Sequence, residues 1–141
     1  MSIAARDNYL STEVMTASPQ KLQLMMIDAA IRACLKAREA WQADDQETAG
    51  ESLVRAQQVV TEMIAGVHAE KAPELARKVM GVYLFIFRAL VDAHLNHDEA
   101  KLEESLEILH FERETWQTLC EQLGTQRAEA PEESAGADFS A

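Results

Sequence analysis

The chain has 141 residues, 48% of them apolar, and a formal charge of -11. That is one domain's worth of sequence with enough apolar material for a core, which excludes wholesale disorder. The acidity argues against a protein that grips a phosphate backbone, for which clustered Lys and Arg are needed.

In chain order, residues 1–17 show no sustained period but carry Ile3, Tyr9, Leu10, Val14 and Met15, too apolar for a purely solvated tail, so this segment is expected to dock as a cap. Ser18 before Pro19 reads as an N-cap followed by proline at the first helical position, and a first helix is expected over 19–41. Ala43 to Gln46 is a polar turn, with Asp45 a cap, and a second helix is expected over 47–65, ending near Gly66. Pro73 with Glu74 opens a third helix, expected over 73–95. Asn96-His97-Asp98 is a short break, and Asp98 caps a fourth helix expected to stop at Gly124. The acidic, small-residue sequence over 124–141 reads as a disordered tail. Few Gly and Pro and many helix formers make the fold class all-α. The expected architecture is an antiparallel four-helix bundle over 18–123, with the capping segment before it and the tail after it.

Two of these helices are more apolar than one buried face requires. In the first, Leu22, Met26, Ala29, Ala33 and Ala37 form one stripe, and Leu24, Ile27, Ile31 and Leu35 another. The third carries Leu75, Val79, Val82, Ile86, Leu90 and Ala93, with a second stripe of Met80, Leu84, Phe87 and Val91, and Phe85 outside both. The second and fourth helices are ordinary by comparison. Either the two over-apolar helices touch several neighbours, or a groove receives an amphipathic segment of another chain. On the second reading, charging Ile27 and Ile31 should abolish binding and leave the helical content intact.

Chemistry finds little support. Glu107 and His110 match one Glu-x-x-His pair of a di-iron bundle, but no second pair exists. His94, His97 and Asp98 form a weak chelating set at a helix end. Arg113, near Trp116, is expected to lie along the indole or pair with a carboxylate. Phosphate loops, nucleophile elbows and zinc-protease motifs are missing from the sequence, so no catalysis, metal or cofactor is expected. Cys34 and Cys120 lack metal or redox spacing and read as core fillers. No signal peptide opens the chain, and Asp, Arg and Lys repeatedly interrupt its Leu/Met/Ile segments. A cytoplasmic protein without membrane insertion is expected. Two other classes compete: a phosphotransfer bundle using His110, and a self-associating structural bundle.

Three segments, "NYLSTEVMTASPQKLQLMMIDAAI", "LVRAQQVVTEM" and "VYLFIFRALVDAHLNHDEAKLEESLEILHFERETW", resemble the flagellin export chaperone family, FliS, in order and spacing. Ile27-Asp28-Ala29 stands where the family usually has Tyr-Asp-Gly. The resemblance implies a chaperone that binds the disordered C-terminal region of flagellin, prevents premature polymerisation and presents it to the flagellar type III export gate. By position, Tyr9 and its flank match the family's displaceable cap, and Tyr83 matches its third-helix tyrosine. Candidate partner-binding residues are thus Tyr9, Leu10, Leu24, Ile27, Ile31, Leu35, Tyr83, Phe85 and Phe87.

Overall fold

The computed structural model describes residues 18–129 apart from 69 and 71, with side chains as far as 124. Four α-helices follow one another: α1 over Pro19–Gln42, α2 over Gln46–Ala65, α3 over Pro73–Asn96 and α4 over Glu99–Glu129. Their starts follow local chemistry. The Ser18 hydroxyl accepts from the Lys21 N–H at 3.1 Å, just ahead of Pro19. Asp45 accepts from the Thr48 N–H at 3.1 Å and Asp98 from the Lys101 N–H at 3.2 Å. The Thr48 hydroxyl and then its N–H hold the Asp45 carboxyl below its usual range. α3 has no side-chain cap and begins on Pro73 with Glu74 in its first turn.

The helices close into a ring in which α1 and α3 each pack against both α2 and α4. The short connections over 43–45 and 97–98 make the helices they join antiparallel neighbours. Ile27, Cys34, Leu53, Met63, Tyr83, Ile86, Leu90, Leu102 and Leu109 fill the centre. Near one end, Gly50 of α2 faces the His94 ring of α3, which a Cβ there would meet at an ordinary contact distance of 3.4 Å. At the same end His97 closes α3 in the left-handed region, at φ 48, where glycine is usual. Its ring stacks on Trp41 with centroids 4.3 Å apart, a tertiary contact that offsets part of the backbone cost.

Two expectations need correction. α4 does not stop at Gly124 but continues to Glu129; a single interior glycine costs only about 1 kcal/mol relative to alanine, and Gln126 to Glu129 are good helix formers. The apolar runs are also not all interrupted by charge. Between Lys78 and Asn96 only Arg88 and Asp92 are charged, and α3 is long and apolar enough, by composition, to cross a membrane. Only 28% of its most apolar window is buried. In the ring, one arc of α3 faces the core and the remainder does not.

Candidate partner-binding surface

The two over-apolar helices resolve differently. α1 occupies a corner whose two inner flanks meet α2 and α4, and Leu24, Ile27, Ile31, Ala33, Cys34 and Ala37 are all buried along it. Its two stripes are the two flanks of one buried arc. Ile27 has no exposed surface, so replacing it by Asp strikes the core, against the expectation of an intact fold. Of the candidate residues on α1, only Leu35 reaches solvent, at 36% exposure. Burial, and then the Glu103 carboxylate, push the Cys34 thiol up to about 12, which makes it the inert core filler expected.

On α3 the buried arc is narrower: Ala76, Tyr83, Ile86, Ala89, Leu90 and Ala93. Gln57 of α2 donates to the Leu90 carbonyl at 3.4 Å, and His94 lies over Gly50, which marks the flank of α3 that faces α2. Met80, Leu84, Phe87 and Val91 run along that flank at helical spacing and are all partly buried, with Phe87 packed against the core. They form a continuous apolar strip beside α2, to which Val54 adds an exposed side chain. Phe85 is 42% exposed but lies about 200° round the helix from Phe87, so it belongs to another face.

The strip leads toward the end of the bundle where α1 begins. There a cavity of about 210 Å³ is lined by Gln23, Val67, Leu75, Val79, Tyr83 and Trp116, among others. Leu75 at its rim is largely exposed, whereas Tyr83 is fully enclosed. The Gln23 amide donates to the Tyr83 hydroxyl at 2.5 Å. Burial and then the Glu112 carboxylate push the Tyr83 phenol up to about 12, opposed by hydrogen bonds from Gln23 and Trp116. Burial also raises the Glu112 carboxyl, opposed by Trp116. The site is therefore an apolar depression with a neutral phenol at its base, suited to a side chain and not to an ion.

Arg113 takes the second of its expected roles: it donates to Asp28 of α1 at 2.6 Å and to Gln117 at 2.7 Å. Glu107 and His110 are exposed on α4, and among the described residues no three His, Cys, Asp or Glu converge on a metal-sized site. Tyr9 and Leu10 lie outside the described residues. Sequence reasoning missed Gln23, Glu112 and Trp116 as neighbours of Tyr83. The one available signal was Gln23 itself, a polar residue on the otherwise apolar side of α1.

Comparison with known proteins bears on this arrangement. The family described as Flagellar protein FliS matches residues 1–123. The flagellar secretion chaperone FliS of Salmonella typhimurium is 29% identical over 120 residues, covering 84% of this chain and 89% of the relative. That of Bacillus subtilis is 28% identical over 108 residues, 77% of this chain and 80% of the relative. That of Escherichia coli is 26% identical over 108 residues, 76% and 79% of the two chains. With the match spanning both the described bundle and the segment before it, the chain belongs to the flagellar protein FliS family.

Proposed function

We propose that this chain is a cytoplasmic flagellar export chaperone that binds the disordered C-terminal region of flagellin, prevents its premature polymerisation and presents it to the type III export gate. As a member of the FliS family it is a chaperone and not an enzyme. The observation that carries the reading is the partly buried Met80, Leu84, Phe87 and Val91 strip on a helix that its own bundle covers along one arc only, with an apolar cavity near the start of that helix. An amphipathic helix that folds onto such a strip gains ~25 cal/mol for each Å² of apolar surface removed from water, less the cost of ordering. No ATP is needed, because release only exchanges one burial for another.

Tyr83 supports the base of the cavity, and Phe87 touches the partner directly. Leu24, Ile27 and Ile31 act as the packed support beneath the surface. Leu35 and Phe85 lie on other faces and contact the partner only where it wraps further round the ring. By the family resemblance, Tyr9 and Leu10 belong to a displaceable cap that a partner replaces.

Calorimetric titration with a peptide from the C-terminal region of flagellin of the same organism tests this. Submicromolar binding with a strongly negative heat-capacity change is expected. A helical protein that binds no such peptide would overturn the assignment of substrate.

A further inference from the structure

The strip of α3 is bordered on each side by exposed charges that their own chain leaves unpaired. Arg77, Leu84, Arg88 and Leu95 recur at intervals of seven, four and seven residues, so they share one line along α3. Leu84 belongs to the strip, and the two arginines therefore stand along its outer edge. Leu95, 73% exposed, extends that edge toward the 97–98 turn. On α2, Glu51, Gln58 and Glu62 follow at intervals of seven and four residues. An open depression lined by Gly50, Glu51, Val54, Arg55, Gln58 and His94 joins this face of α2 to the strip side of α3. Arg77, Arg88, Glu51 and Glu62 are all exposed, and among the described residues none forms an ion pair.

The signs are sorted by edge. Arg77 and Arg88 line the α3 side, with Glu74 and Asp92 further round that helix. Glu51 and Glu62 line the α2 side, with Arg55 between them as the one opposing charge. We propose that these two edges read the charge of the helix that lies on the strip: it carries carboxylates where it meets Arg77 and Arg88, and lysine or arginine where it meets Glu51 and Glu62. Turning a helix end for end exchanges its two edges, so the sorting fixes the direction of the bound segment as well as its chemistry. Charges at a rim act in this way, setting register and excluding wrong partners more than they add affinity. From Met80 to Leu95 the strip runs about 22 Å, the length of roughly four helical turns. The inference rests on the strip being the substrate face, and it adds what kind of segment that face accepts.

Three synthetic amphipathic peptides with one apolar stripe test it: Glu on one edge and Lys on the other, Glu on both edges, and Lys on both. At about 0.15 M salt, where the net charge of the chain is screened beyond about 8 Å, the full chain should bind the mixed peptide at least ~fivefold more tightly than either uniform one. Arg77→Glu with Arg88→Glu makes both edges acidic and should transfer the preference to the Lys peptide, with circular dichroism unchanged. Adding Glu51→Lys and Glu62→Lys to that variant should restore the preference for the mixed peptide and turn it end for end. A nitroxide at the peptide N-terminus should then broaden the Met80 methyl in one of these two proteins, unaltered or fourfold variant, and the Leu95 methyls in the other. Equal affinity for the three peptides, failure of all three to bind, or an unchanged direction in the fourfold variant would overturn the proposal while binding of the flagellin peptide to the strip still stood. Loss of that binding as well would overturn the strip and the proposal together.

Discussion

α1 and α3 are the same length, 24 residues, and each carries two apolar stripes, yet the ring buries nine residues of α1 and six of α3. Both touch the same two neighbours. The difference lies in where the stripes fall. The stripes of α1 run continuously round the inner side of its corner, ending in Asp28 and Arg38, which pair with Arg113 and Glu103 of α4. The second stripe of α3 lies past the edge of its contact with α2, so its residues are wetted on one side. An apolar surplus in sequence therefore marks a binding face only when the neighbouring helices stop short of it.

Substitutions can break or sharpen this contrast. The largest effect is expected from Ile27→Asp, which leaves an unpaired charge at a site with no exposed surface; a loss on the order of 4 kcal/mol or more should appear as unfolding in urea or by circular dichroism. Retention of a cooperative fold would place Ile27 outside the core after all. Leu84→Gln with Phe87→Gln, on the strip of α3, should weaken binding of the flagellin peptide at least ~tenfold at a stability cost of about 1 kcal/mol for each change. Equal losses of stability from the α1 and α3 variants would erase the distinction between the helices.

Tyr83→Phe leaves the Gln23 amide without its buried acceptor and should cost about 1–2 kcal/mol. It also changes the pH profile. The folded phenol titrates near 12 against an ordinary 10.0, so the unfolded chain loses this proton first as pH rises. The tyrosine's contribution is thus complete below about pH 10 and lost progressively toward pH 12. Denaturation at pH 9, 10 and 11 should show a steeper decline for the unaltered protein than for the variant. The smallest effect is expected from Asp28→Asn, which removes a partly exposed ion pair and should cost about 0.5 kcal/mol in low salt and less in high salt.

Much of the fold was legible because its signals are local. Ser18, Asp45 and Asp98 cap helices where hydroxyl or carboxylate precedes an apolar period, and the positions of Pro19 and Pro73 set two starts to the residue. The end of α4 was not legible, since Gly124 is a stop signal only when the following residues disfavour helix. The site was half legible. Periodicity picked out the strip of α3 but could not tell it from the second stripe of α1, because which flank a neighbour covers depends on the ring as a whole. The cavity around Tyr83 joins α1, the 66–72 connection, α3 and α4, and no short-range pattern predicts such a meeting.

Methyl NMR of the full chain titrated with the flagellin peptide tests the central claim most directly. Shifts are expected at Met80, Leu84 and Val91 with little change at Ile27 and Ile31. Large shifts at Ile27 and Ile31 with Met80, Leu84 and Val91 unmoved would contradict it and return the binding face to α1.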